Sequence, residues 1–295
     1  MDSRLKISIA IVLNMIIVIL QIVIGLYAHS MALITDAVHN FQDVISLVIA
    51  FVAIYFMSKK PTETMTYGYL RSEVMAGFIN SAFLLGAIFL IIISSIERLF
   101  EPVEVESVYV IVMGAIAFVI NAFSAYLLGL HGHKHHSHEH NHDLNIRAAY
   151  LHLLSDAGIS LGVVIGGIVI YFYGINWVDP LISIIFSLYI LKETTPVLKK
   201  SYMILMESVP SEININLIKE IILKNPDIYD VHDIHIWALS SKDIYLSAHV
   251  VLNKEVTIEK FDKIVYQLKK ELEAEGINHI TLQPETKEFV CEYTY

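Results

Sequence analysis

The sequence predicts an α-helical membrane protein, six transmembrane helices followed by a small α+β domain. Three observations predict it. Of 295 residues, 55% are hydrophobic and only 17% charged, against roughly 25% charged in a soluble domain. Mean hydropathy is +0.59, concentrated in apolar runs near the ~20 residues that cross a bilayer. From Glu207 onward those runs stop and charge rises, with Lys+Arg 9 and Asp+Glu 16, so −7 of the net −10 lies there. High apolar content, 13 glycines and the single Cys291 exclude a disordered chain, a collagen-like repeat and a disulfide scaffold. An acidic chain also gives no footprint for nucleic acid.

The first run, Ile7–Leu26, follows Arg4 and Lys6 and precedes Ala28-His29-Ser30. Its apolar core exceeds the roughly 7–15 residues of a signal peptide, so it reads as a retained helix. Four more runs follow: Ala32–Met57, Val74–Ile96, Val108–Leu130 and Ala148–Tyr173. The sixth, Val178–Leu191, reaches spanning length when continued to about Pro196, with Lys192 snorkelling and Tyr173 and Trp177 as interfacial anchors. One set of loops carries Arg4, Lys6, Lys59, Lys60, Arg71, Lys134, Arg147, Lys192, Lys199 and Lys200, and the opposite set only Arg98. That bias places both termini in the cytoplasm. Residues 1–206 are then the membrane domain and 207–295 a cytoplasmic one. In the latter, Ile213, Leu217, Ile218, Ile221 and Ile222 form a helical stripe. Strand patterns follow at Ile228–Trp237 and Ile244–Leu252, then an amphipathic helix over Val256–Glu275 and a strand over Ile277–Glu285. The order α-β-β-α-β suits a small sheet with helices on one face.

The chemistry sits inside the spans. In the second, Asp36, His39, Asn40 and Asp43 share one helical face; in the fifth, His152 and Asp156 lie one turn apart. A central Asp in an inserted helix costs about 2.5–3.5 kcal/mol, which calls for a compensating role. Either pair alone could be hydrogen-bonded packing. Two His-x-x-x-Asp pairs on facing helices supply two nitrogens and two oxygens, a set that suits tetrahedral zinc. Asp36 reads as a cation waypoint, as a partner that supports these groups, or equally as a helix-packing or interfacial residue, and Asn40 and Ser155 as packing or supporting groups. Gly158, Gly162 and Gly166 would let the fifth span approach a neighbour closely.

These residues resemble the zinc-transporting branch of the cation diffusion facilitator family, over essentially the whole chain. Asp36-Ala-Val-His39 with Asp43 is similar to the family's second-span motif, and His152-x-x-x-Asp156 to the fifth. Tyr67-Gly68-Tyr69-x-Arg71-x-Glu73 resembles its run before the third span. Val231-His232-Asp233-Ile234-His235-Ile236-Trp237 and Leu246-Ser247-Ala248-His249 resemble its cytoplasmic strands. The resemblance implies a homodimeric antiporter that exports Zn²⁺ in exchange for protons, with a metal-sensing, ferredoxin-like tail. His39, where broader-range members carry Asp, leans toward zinc, with Cd²⁺ and then Co²⁺ as further substrates.

His131, His133, His135, His136, His138, His140 and His142 crowd one loop, half of the 14 histidines. Their irregular spacing suits loose metal buffering rather than one rigid site. In the tail, strand alternation sends His249, His279 and Glu285 to the open face, a candidate second, regulatory zinc site. It sends His232 inward, whereas the resemblance pairs His232 with His249. No phosphate-binding loop of the form G-x-x-x-x-G-K-[ST] and no H-E-x-x-H occurs. The reading is therefore a secondary transporter with divalent metals, protons and the bilayer as partners, no organic cofactor and no enzymatic activity. A membrane-bound metal sensor or buffer is the alternative, ahead of an intramembrane zinc enzyme. Short loops and the absence of a targeting extension point to a prokaryotic plasma membrane.

Overall fold

The computed structural model describes the backbone of residues 3–132 and 140–288, and the side chains of 15–126 and 150–288. Cys291 lies outside them. Six long helices come first: α1 (Ser3–Tyr27), α2 (Met31–Met57), α3 (Arg71–Phe100), α4 (Ser107–Gly132), α5 (His140–Tyr173) and α6 (Val178–Leu205). Among the described residues, α2 to α6 each hold a stretch long and apolar enough to cross a membrane, and α1 contributes the apolar segment Met15–Tyr27. Large side chains such as Phe51, Phe83 and Phe172 face outward at 73–75% exposure, as a lipid-facing surface requires. Helix α6 runs nine residues past Pro196. Thr195 Oγ1 donates to the Leu191 carbonyl at 2.6 Å beside the proline, in the region where a missing N–H perturbs the ladder. Helix α4 runs to Gly132 and α5 begins at His140, so the histidine-rich segment enters helix at both of its ends. His133, His135, His136 and His138 lie outside the described residues, as do the side chains of His131, His140 and His142.

The chain divides into two compact units, Met1–Val48 with Asn80–Pro196, and Ile49–Ile79 with Val197–Tyr295. In the first, one cluster gathers Ala28, Leu33, Val105, Met113, Val163 and Ile170, and another Met31, Leu84, Ile88 and Ile190. Of the α5 glycines, Gly162 and Gly166 face α6, and Gly167 faces Ile111 of α4. A Cβ built on Gly162 would come to 2.5 Å from Phe186 Cζ, and one on Gly166 would strike Ile182, whereas Gly158 faces open space. At the turn between α1 and α2, Asp179 of α6 is buried and caps α2. It accepts from Ser30 Oγ at 2.5 Å, from the Met31 N–H at 2.6 Å and from the Ala32 N–H at 3.3 Å.

The second unit holds α7 (Ile215–Leu223), β1 (Ile228–Ala238), β2 (Ile244–Leu252), α8 (Ile258–Ala274) and β3 (His279–Glu285). The sheet order is β1-β2-β3, antiparallel then parallel, with α8 as the crossover the parallel pair needs. Asn214 and Thr257 cap the two helices. Ile218, Ile221 and Ile222 of α7 and Ile264, Leu268 and Leu272 of α8 bury one face of the sheet against Val231, Ile236, Leu246, Ala248 and Val250. The Tyr67–Glu73 motif, which runs into the first turn of α3, belongs to this unit: Glu73 accepts from Ser241 Oγ at 2.8 Å, Arg71 pairs with Glu207 at 2.5 Å, and Tyr67 meets Tyr245 edge-on at 5.4 Å.

Candidate metal centre

Helices α2 and α5 present their polar faces to each other in opposite directions, so their residues pair as rungs. His39 Nε2 stands 3.2 Å from Asp156 Oδ1, and His152 Nε2 stands 3.4 Å from Asp43 Oδ2 and 3.8 Å from Asp156 Oδ2. The two imidazoles lie edge to face, centroids 6.0 Å apart. One donor atom from each of His39, Asp43 and Asp156 falls within 4.8 Å of the others. Zinc bonds of about 2.0–2.2 Å in a tetrahedron put neighbouring ligand atoms about 3.3–3.6 Å apart. The three observed nitrogen–oxygen separations bracket that edge length, while His152 stands outside the group of three and would have to move inward to complete a four-ligand set. Side-chain exposure is uneven: 5% for Asp156 and 12% for His39, against 34% for Asp43 and 50% for His152. Asp36 stands apart from the cluster, buried one turn away and hydrogen-bonded to Gln21, Asn40 and Ser160.

The tail forms a second cluster. His232 and His249 are cross-strand partners with rings 5.4 Å apart. Glu285 reaches both, Oε2 at 3.2 Å from His232 Nε2 and Oε1 at 2.8 Å from His249 Nδ1. Neither ring nitrogen has a hydrogen bond of acceptable geometry, although both are buried. Two imidazoles and a carboxylate within one coordination shell of each other, the ring nitrogens lacking a hydrogen bond, suit a cation between them.

Strand alternation misplaces one residue, His232, and the cluster expected on the open face includes one residue too many, His279. His232 faces outward because a register shift between His232 and His235, with Asp233 at φ +49, inserts a bulge that reverses parity. Past the bulge Ile236 and Ala238 point inward, and before it Val231 does. His279 shares the outward face but not the cluster. It pairs with Tyr245, its ring tilted 44° to that ring with centroids 5.2 Å apart, six residues from Glu285, about 20 Å along the strand. Asp233 is the residue sequence reasoning missed: its carboxylate lies 2.9 Å from His235 Nε2 and 3.5 Å from His249 Nε2. Its one signal was a short polar residue in a strand, where a bulge tolerates positive φ.

Residues 7–206 match the cation efflux transmembrane domain, and residues 210–287 the cytoplasmic domain of cation efflux proteins. The chain belongs to the cation efflux family. It is similar to the cadmium, cobalt and zinc/H(+)-K(+) antiporter of Bacillus subtilis, 36% identical over 91% of this chain and 85% of that one. The metal cation efflux system protein CzcD of Cupriavidus metallidurans is 34% identical over 96% and 86%, and the zinc transporter ZitB of Yersinia pestis 31% over 96% and 88%. As a cation efflux protein the chain is a multi-pass membrane transporter of metal cations and not an enzyme, which removes the intramembrane zinc enzyme from consideration.

Proposed function

We propose that the protein exports Zn²⁺, with Cd²⁺ and Co²⁺ as further substrates, from the cytoplasm in exchange for protons, and that His39, Asp43, His152 and Asp156 hold the ion in transit. The observation that carries this reading is the rung geometry, with imidazole and carboxylate atoms of α2 and α5 at the 3.2–3.8 Å separations of a tetrahedral site. Two carboxylates balance a dication, so the loaded site adds little net charge to the membrane interior. Once empty, the same carboxylates and imidazoles take up protons to avoid buried, unbalanced charge. Metal and protons therefore compete for one set of atoms, which is what an exchange cycle requires.

The loop charges support cytoplasmic termini, a membrane domain over 1–206 and a cytoplasmic domain over 207–295. Bacterial relatives support a plasma membrane, and the match to a cytoplasmic dimer domain supports a homodimer. His232, His249 and Glu285 are assigned to a regulatory Zn²⁺, without His279. The histidines between 131 and 142 are assigned to loose capture of metal before transport.

Zn²⁺ uptake into proteoliposomes under an imposed pH gradient tests the reading. Wild-type flux should follow the gradient and vanish in Asp156→Ala. Tight binding without flux would instead leave a membrane-bound sensor or buffer.

A further inference from the structure

Asp36 is fully buried, and donors occupy both of its oxygens. Gln21 Nε2 of α1 donates to Oδ2 at 2.8 Å, and Asn40 Nδ2 reaches Oδ1 at 3.4 Å. Ser160 Oγ of α5 lies 3.2 Å from Oδ1 and 3.1 Å from Oδ2. Asn40 Nδ2 also lies 3.2 Å from Gln21 Oε1, which closes a ring of three side chains. A carboxylate held this way has its charge met by fixed dipoles. A cation arriving at Asp36 would displace donors that have no water to turn to. The chemistry of the group is therefore that of an anchor.

Its place in the ladder says what is anchored. Going along α2 from Asp36 to His39 to Asp43, the facing partners on α5 are Ser160, Asp156 and His152. Asp36–Ser160 is thus one more rung of the same antiparallel ladder, one turn beyond the ion-holding residues. If α2 slid or rotated by one residue, both this rung and the ligand rungs would part together.

We propose that Asp36 is a positioning residue and not a metal ligand: through Ser160 it fixes the α2–α5 register that brings His39 to Asp156 and Asp43 to His152, and through Gln21 it ties that pair to α1. This rests on reading those four residues as the transport site.

The test uses full-length protein and a carboxylate–amide exchange. Asp36→Asn should raise the Zn²⁺ KM for proteoliposome flux roughly 10–100-fold, as loss of a residue that orients metal ligands does. Ser160→Ala should act in the same direction and more weakly. The double variant Gln21→Glu/Asp36→Asn keeps one carboxylate against one amide with their positions reversed, and should recover most of the loss. A double variant as impaired as Asp36→Asn overturns the proposal, because position 36 would then need its own charge to handle the ion. A wild-type KM in Asp36→Asn overturns it too.

Co²⁺ absorption provides a readout that does not depend on transport. Taken as the difference from Asp156→Ala, the tetrahedral d–d bands should weaken in Asp36→Asn and return in the double variant. If wild type carried no flux but this spectral pattern held, the transport reading would fail while the positioning role stood. Bands unaltered in Asp36→Asn would remove the positioning role.

Discussion

Replacing Asp179 by alanine strips the cap from α2 and has a calculable consequence. The carboxylate, 2% exposed, accepts from the Met31 N–H at 2.6 Å, the Ala32 N–H at 3.3 Å and the Ser30 hydroxyl at 2.5 Å. Ser30 Oγ in turn receives the Leu33 N–H at 3.1 Å, so the hydroxyl keeps a partner, while the two N–H groups do not. An orphaned buried donor costs about 1–3 kcal/mol each. The longer Ala32 bond and the relief of burying a charge pull the sum toward its lower half, about 3 kcal/mol. With about 2–4 °C per kcal/mol for a unit of 150–250 residues, the melting temperature in detergent should fall by about 6–12 °C. Asp179→Asn keeps one acceptor and should fall between wild type and alanine. A double-mutant cycle with Ser30→Ala should give a non-zero coupling energy, because the two side chains touch. A melting shift under about 2 °C for Asp179→Ala would refute the reasoning and mean that water reaches the end of α2 and takes over the cap.

Other substitutions separate the remaining elements. In an Asp156→Ala background, His249→Ala or Glu285→Ala should weaken Zn²⁺ binding by the tail at least about 10–100-fold in equilibrium titration. His279→Ala should leave it unchanged, and an equal loss there would contradict the strand register. Gly162→Leu directs a side chain at Phe186 and should cost about 1–3 kcal/mol in thermal stability. Gly158→Ala faces open space and should be neutral or stabilising by up to about 1 kcal/mol. Asp227 accepts from Lys260 Nζ at 2.7 Å, and that hydrogen bond and charge hold its carboxyl below the ordinary range. The folded value lies below the unfolded one, so the pair stabilises the fold above about pH 4 and its contribution is lost as pH falls through the lowered value. Lys260→Met should flatten that part of the acid-unfolding profile, and an unaltered profile would deny the pair any role.

The spans were legible because a bilayer imposes length and apolarity on each of them. The ligand rungs were legible because polar residues there are costly enough that their spacing carries information. What the spacing left open was Asp36: its face matches that of His39 and Asp43, and only the donors from α1 and α5 separate anchor from ligand. Sequence also placed Gly162 and Gly166 on a close-packing face but could not say that α6 covers it. The tail's strands followed from alternation until alternation failed at Asp233. A bulge is a property of backbone torsion, and its mark in the sequence is the odd spacing of Val231 from Ile234 and Ile236, which strict alternation cannot bury together. Helix α6 outran its apolar stretch, and its residues from Val197 onward are grouped with the second unit.

The graded exposure along the α2–α5 ladder makes the ion site a blind alley in this conformation. Asp36 is fully buried and His39 and Asp156 nearly so, while Asp43 and His152 are the more exposed of the described ladder residues. Among the described residues, the end of the ladder that carries Asp43 and His152 is the more open one and serves as its doorway. With the orientation proposed above, the doorway lies on the cytoplasmic side, where α2 runs on toward Met57. A thiol at position 43 should therefore react with an aqueous reagent while one at position 36 does not. Discharge on the far side then demands that the ladder unzip from its sealed end, and the number of hydrogen bonds given up there sets how rarely the chain turns its cargo outward.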